Sequence, residues 1–380
     1  MTALKSRRSA FISLLAASTL AIAACGSVED DAANGTDGTT TAPAADGTAD
    51  TADTATTAAA AEGEITVACT ADETLCAAWA DAFEAESGIS TNYVRMSSGE
   101  AVARFQAAGD NPEFDVWHAG PVDGFIAATQ EGLLEQYESP NAADLDSDVV
   151  DPEGYWAGVY LGALGFCSNE SRLEELGVDV PTSWDDLTVP ELEGELMMAH
   201  PSTSGTAFTT LWTQVERLGG EDAALNYMRD FNTNILQYTR SGSAPAQSAG
   251  RGEVAVAMVF SHDCVSHQEE GFDDLVVSFP EEGTGYEIGG VALMKGSQNP
   301  DAAKAYIDWA LTPAAQDLGP ENNAFQILTH PDAVEDPRMV SFDDITLVDY
   351  DFAAAGEARS ALTARFDAEV AEEPAEEESN

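Results

Sequence analysis

From residue 64 onward, the spacing of apolar and polar positions divides the chain into repeated strand–helix pairs. Residues 64–68 read as a strand, and 72–86 place Leu75, Trp79, Ala82 and Phe83 on one helical face. Gly88 closes that helix. A second strand covers 90–95. Ser97 and Glu100 then stand at capping-box spacing before a helix that runs to Gln106. A short strand at 115–117, a glycine-containing loop at 118–121 and a helix over 125–131 follow. Repeated βα units of this kind specify a parallel sheet with helices on its faces.

The pattern changes at 155–166, a long apolar stretch with Gly158, Gly162 and Gly165, read as a crossing from one lobe to another. Residues 181–187 cap a short helix, and 196–199 form a strand. The loop His200-Pro201-Ser202-Thr203-Ser204-Gly205-Thr206 precedes a helix over 207–218, and another helix spans 221–231. Ser243 caps a helix with Pro245 in its first turn, stopping near 250–252. Residues 254–260 are apolar and β-branched, suited to a buried parallel strand. That strand ends in Ser261, His262 and Asp263. Ligands of open α/β sheets bind beyond the carboxyl ends of strands, so the triplet is a site candidate. The competing expectation is a strand running out into a solvated loop. A strand at 275–279, a turn-rich crossing back at 282–287, a strand at 291–294 and helices over 300–311 and 357–368 complete the pattern.

Charge and the chain ends narrow the class. Formal net charge is -53, and after residue 24 the only lysines are Lys295 and Lys304. Such a surface excludes nucleic acid and docking on anionic lipid, and it suits a high-salt habitat. Lys5, Arg7 and Arg8 precede an apolar stretch at 11–24, the layout of a secretory signal too short to span a bilayer. It ends Ile22-Ala23-Ala24-Cys25-Gly26, which resembles a bacterial lipobox and implies cleavage before Cys25 with a lipid on its sulfur. Residues 26–62 are almost all Ala, Thr, Asp and Gly without an aromatic, so they cannot bury enough apolar surface to fold. They read as a tether whose ends lie roughly 35 Å apart. Residues 371–380 form an acidic tail. An exported chain meets oxidising conditions, and bridges are expected between Cys69 and Cys76 and between Cys167 and Cys264.

Three hydroxyl- and glycine-rich loops open helices, at 97–100, 202–206 and 241–245. A helix start offers unpaired N–H groups and a partial positive charge, and so holds anions. Arg95 and Arg240 precede the first and third loops. His262, Asp263 and Glu287 have acceptor character suited to hydroxyl groups. Together the set describes a ligand with a phosphate-like end and a polyol-like end. No Ser-His-Asp nucleophile spacing, metalloprotease helix or P-loop occurs, and Asp115 and Asp123 read as structural, so the expectation is a binding protein rather than an enzyme.

The segments RMSSGEAVA (95–103), NPEFDVW (111–117), EGLL (131–134), SGSAPAQSAGRGE (241–253) and PEEGTGYEI (280–288) carry a family resemblance. The chain resembles extracellular solute-binding proteins of bacterial ABC importers, in the branch with ferric-iron and sugar-phosphate binders. The resemblance implies the type 2 periplasmic-binding-protein fold: two α/β lobes, each a mostly parallel sheet flanked by helices, with ligand in the cleft between them. It also implies delivery to a permease driven by an ATPase. The implied organisation is lobe 1 at 63–158 and 284–340, lobe 2 at 159–283 and a C-terminal helical segment at 341–370. Iron-binding relatives place adjacent tyrosines after the strand that ends at Phe260, where this chain has Ser261-His262-Asp263. Sugar-phosphate binders resemble it more closely. By motif, His262, Asp263 and Glu287 would hold sugar hydroxyls, and Ser97, Ser98, Gly99, Ser204, Gly205, Thr206, Ser241 and Ser243 would surround the phosphate, supported by Arg95 and Arg240. An iron-binding alternative would use His262, Asp263, Tyr286 and Glu287. The segment VWHAGP at 116–121 departs from the glycine-richer loop of the family. The expected protein is a monomeric, extracytoplasmic lipoprotein that binds a small anionic solute without a cofactor.

Overall fold

The computed structural model describes residues 63–109 and 111–372. The signal segment, Cys25, the tether up to residue 62 and the tail from 373 lie outside the described residues.

The first half alternates β1 (Glu64–Cys69), α1 (Glu73–Ser87), β2 (Ser90–Arg95), α2 (Ser98–Ala108), β3 (Val116–Pro121), α3 (Val122–Gln130) and the two-residue β4 (Leu134–Glu135). The long β5 (Ala157–Asn169) leads into α4 (Glu170–Leu176), β6 (Leu196–Ala199), α5 (Gly205–Leu218), α6 (Glu221–Asn232) and β7 (Ile235–Thr239). Next come α7 (Ala244–Gly250), β8 (Val256–Phe260), α8 (Ser261–Glu269) and β9 (Leu275–Ser278). The chain returns through β10 (Tyr286–Met294), α9 (Pro300–Ala310), α10 (Pro313–Glu321) and β11 (Ile327–Leu328), and ends in α11 (Phe352–Glu369).

The strands run in the order β2-β1-β3-β10-β5-β8-β6-β7. β1 is parallel to β2 and β3, and β6 is parallel to β7 and β8. The two crossing strands β5 and β10 run antiparallel to their neighbours, so each flank is parallel and the centre is mixed. This mixed α/β layout agrees with the fold class read from the sequence. Its βα repeats demand parallel neighbours, whereas a strand that carries the chain across and one that brings it back are antiparallel to each other.

Two apolar bodies flank the crossing. Trp79, Phe83, Tyr306 and Ile307 pack with Ile65 and Val67 in the first half. Leu164, Phe166, Trp184, Phe208, Phe231 and Met258 pack in the second, joined by Leu362 and Phe366 of α11. On its other side α11 meets α3, where Arg359 forms a buried ion pair with Asp123. Asp123 is therefore structural, as read. Cys69–Cys76 and Cys167–Cys264 are both disulfides. Each contributes about 2–4 kcal/mol by restricting the unfolded chain. No helix among the described residues is long and apolar enough to cross a membrane.

Several local expectations change. Residues 118–121 continue β3 instead of forming a loop: β10 pairs with His118 and Pro121, and all four are buried. Ser261, His262 and Asp263 are neither solvated nor a loop: they are the buried first turn of α8. Residues 286–294 form one strand. The helix expected at 181–187 is a single 3-10 turn, Trp184–Thr188, capped by Ser183.

Candidate functional site

β3, β5, β8 and the starts of α2, α5 and α8 converge on a cavity of about 60 Å³ between the two halves. Its walls include Arg95, Ser97, Ser98, Ser204, Gly205, Thr206, Ser243, His262, Asp263 and Glu287, so nine of the eleven ligand residues read from the sequence stand with Arg95 around one space.

One group of walls is built from helix starts. The Ser97 N–H donates to Glu100 Oε2 at 3.1 Å, which fixes the opening turn of α2. The following Ser98 hydroxyl borders the cavity and has no hydrogen-bond partner among the described residues. Ser204 caps α5, its Oγ accepting from the Ala207 N–H at 3.4 Å, and the Thr206 hydroxyl at the cavity has no partner among the described residues. The starts of α2 and α5 touch across the cleft, where the Gly99 N–H donates to the Thr203 carbonyl at 2.9 Å. Ala119 and Gly120 end β3 with φ of 74° and 86°. A Cβ on Gly120 would lie 2.4 Å from Ser98 Oγ, so glycine answers both the backbone angle and the close approach.

Arg95, at the end of β2, donates through Nε to the Ala71 carbonyl at 3.1 Å and through Nη2 to Ser241 Oγ at 3.2 Å. It forms no ion pair among the described residues. In a chain of net charge -53, a cavity-lining guanidinium whose hydrogen-bond partners among the described residues are neutral is available to an anion.

Four candidates take other roles. Gly99 spends its N–H on Thr203 and does not border the cavity. Ser241 anchors Arg95 instead of facing a ligand. Arg240 ion-pairs with Glu100 at 2.9 Å across the cleft, so it ties the two halves together. Ser243 starts α7 without capping it, because its Oγ donates to Asp72 Oδ1 at 3.1 Å.

The remaining walls are acidic. His262 and Asp263 lie in the first turn of α8, and Glu287 lies in β10. All three are at least nine-tenths buried. His262 Nε2 is 3.7 Å from Asp263 Oδ1 and 3.9 Å from Glu287 Oε1. Burial lowers the imidazole to about 3, so the ring is neutral and these contacts are not salt bridges. Burial also raises both carboxyls well above their usual range; Asp72 adds to the rise of Asp263, and Asp263 to that of Glu287. Neither carboxyl accepts a hydrogen bond among the described residues. Buried acceptors of this kind call for donors, and sugar hydroxyls are donors.

Sequence reasoning missed the parts that depend on distant register. Glu287 pairs with Gly162 of β5, and a Cβ on Gly162 would lie 2.9 Å from the His262 ring. Tyr160 and Gln326 also border the cavity. Tyr286 does not: successive strand side chains point to opposite faces, and its ring packs with Phe342, Tyr350 and Phe352. The iron alternative thereby loses its only phenolate. Among the described residues, no group of three or more His, Cys, Asp or Glu is arranged to hold a metal ion.

Residues 78–318 match the family of bacterial extracellular solute-binding proteins. An uncharacterized protein of Haemophilus influenzae is 37% identical over 319 residues, covering 82% of this chain and 91% of that protein. The solved periplasmic binding protein AfuA from Actinobacillus pleuropneumoniae, with exogenous fructose-6-phosphate bound, is 38% identical with a TM-score of 0.79, covering 81% of this chain and 98% of its own. The ferric binding protein from Campylobacter jejuni shares the fold at 18% identity, with a TM-score of 0.68 over 80% and 98% of the two chains. Joined to the two-sided cavity at the crossing of a mixed α/β sheet, these likenesses place the chain in the bacterial extracellular solute-binding protein family, the type 2 periplasmic binding proteins of ABC importers.

Proposed function

We propose that this protein captures a sugar phosphate and hands it to an ABC permease, acting as a carrier and not as an enzyme. One observation carries the reading. A single cavity combines an arginine without an ion pair and unpartnered hydroxyls at two helix starts with two buried carboxyls that lack donors among the described residues. The first set suits a phosphate and the second a polyol. Fructose-6-phosphate in the similar AfuA supports the same ligand class. In this reading Ser98, Thr206 and Arg95 face the phosphate, with Ser97, Ser204, Gly205 and Ser243 shaping its pocket, and His262, Asp263 and Glu287 face the sugar. Lobe 1 is 63–158 with 284–340, and lobe 2 is 159–283. A lipid on Cys25 and the 26–62 tether hold the monomer outside the membrane.

A cavity of about 60 Å³ has room for a few waters, so a hexose phosphate enters only when the lobes part. The test is calorimetric titration with hexose 6-phosphates, the free hexoses, inorganic phosphate and a chelated ferric salt. The expected order is hexose phosphate tightest, phosphate weaker and free hexose weakest. Heat from ferric salt with none from any sugar phosphate overturns the proposal.

A further inference from the structure

Gln326 stands one residue before β11, whose Ile327 and Leu328 pair with Leu161 and Tyr160 of β5. On the other edge of β5, Glu287 pairs with Gly162 and Ile288 with Leu161. Extending the antiparallel register by one residue sets Gln326 opposite Gly162 as well. Directly opposed residues project to the same face, so Glu287, Gly162 and Gln326 form one row across three strands. The middle member has no side chain, and the His262 ring fills the space above it.

Gln326 is 7% exposed, borders the ligand cavity, and its side chain has no hydrogen-bond partner among the described residues. A buried carboxamide in that condition carries a desolvation cost of its own, as do the two carboxyls beside it. It differs from them in kind, because it donates as well as accepts.

A second, inner cavity of about 10 Å³ shares Gln326 and Tyr160 with the first. His118 borders it, 1% exposed and stacked on Trp79 with ring centroids 4.0 Å apart. His118 Nδ1 meets the Tyr306 hydroxyl at 2.9 Å, and its Nε2 has no partner among the described residues. Burial lowers this imidazole to about 3, so it is neutral. The volume fits one water molecule.

We propose that Gln326 contacts the ligand, its amide donating to an oxygen of the sugar beside Glu287, and that one buried water between His118 Nε2 and Gln326 orients that amide. The ligand class is thereby narrowed to phosphorylated sugars that present an acceptor oxygen next to the hydroxyls held by the carboxyls. This rests on the sugar-phosphate reading. His118 is a positioning residue, since it reaches the ligand only through the water and Gln326.

Calorimetric titration of the wild type, Gln326→Leu, Gln326→Glu, His118→Phe and the double variant His118→Phe/Gln326→Leu tests this. Each is titrated with hexose 6-phosphates and with inorganic phosphate. Gln326→Leu and Gln326→Glu should lose tenfold or more in hexose-phosphate affinity, because the first has no donor and the second adds a carboxyl. Inorganic phosphate should bind all variants within about twofold of wild type, which also shows that they are folded. His118→Phe should weaken hexose phosphate alone and add nothing to Gln326→Leu. Wild-type affinity for hexose phosphate in Gln326→Leu overturns the contact and leaves the sugar-phosphate reading standing. Additive losses in the double variant overturn the water link. Loss of phosphate binding in Gln326→Leu makes the residue structural and also overturns the contact. A wild type that binds no hexose phosphate removes both this inference and the reading beneath it.

Discussion

Replacing Glu287 by glutamine sets the stability of the site against its affinity. Glu287 is 2% exposed and accepts no hydrogen bond among the described residues. Burial, then the charges of Asp263 and Asp123, raise its carboxyl well above the ordinary 4.5. A carboxyl raised in this way contributes its full share of stability below about pH 4.5 and loses it as pH climbs through the raised value. The amide keeps the shape and cannot ionise. Relieving a buried acceptor without a donor is worth about 1–3 kcal/mol. At roughly 2–4 °C per kcal/mol for chains of 150–250 residues, the unliganded variant should melt several degrees higher at pH 8. Its advantage should shrink toward pH 5. Affinity should move the other way: a hydrogen bond to a charged acceptor is worth about 1.5–3 kcal/mol, so hexose phosphate should bind roughly 10- to 100-fold more weakly. The assays are calorimetric scans from pH 5 to pH 8 and titration with hexose phosphate. A variant that is less stable at pH 8, or one whose advantage does not change with pH, would refute the account of Glu287 as a carboxyl held in waiting for hydroxyl donors.

Arg95→Gln should weaken inorganic phosphate and hexose phosphate alike by about tenfold or more, since a charge-assisted bond of about 1.5–3 kcal/mol is lost; a selective loss of hexose phosphate would contradict its anion role. Gly162→Ala should push the His262 ring aside at a cost of about 1–3 kcal/mol and weaken hexose phosphate, and unchanged affinity would show that the row across β5 does not shape the site. Cys25→Ala should free the protein from membranes in a fractionation experiment, because a lipid anchor gives about 0.8 kcal/mol per buried CH₂ and the tether gives nothing; retention would end the lipoprotein reading. Thiol titration of that variant, denatured without reductant, should read near zero given the two disulfides, and two reactive thiols would contradict them.

Local signals were legible where one segment contains its own reasons. The strands at 90–95 and 196–199 fall where their apolar runs put them, Gly88 ends α1 in a left-handed turn, and Ser97 with Glu100 opens α2. α8 was hidden because its first turn, SHDC, shows polar residues where a buried helix start hides them. β7 was missed because ILQYT lies at the edge of the sheet and is half exposed, so its pattern is weak. The anion and polyol residues could be named from chemistry and motif, yet the division of labour could not. Arg95 and Arg240 look alike in sequence. Only the fold shows that one forms no ion pair among the described residues while the other is taken by Glu100, 140 residues away. Gln326 depends on the register of a two-residue strand, which no local pattern encodes.

The C-terminal helix has a mechanical consequence. The chain passes to the second apolar body through β5, returns through β10, and goes over again ahead of α11. The last two passages are bonded to each other, with the Thr284 N–H donating to the Thr346 carbonyl and the Val348 N–H to the Thr284 carbonyl, both at 2.9 Å. They behave as one ribbon. Behind the cavity, Arg359 grips Asp123 of α3 and lies over the Phe208 ring of α5, 4.4 Å from its centroid. Two bodies joined only by the paired strands β5 and β10 could both bend and twist. A third tether, clamped to α3 and α5 through Arg359, would oppose torsion more than bending. If the lobes part to admit a ligand, as the proposed function requires, such a tether would favour a single bending motion that returns the starts of α2 and α5 to the same alignment.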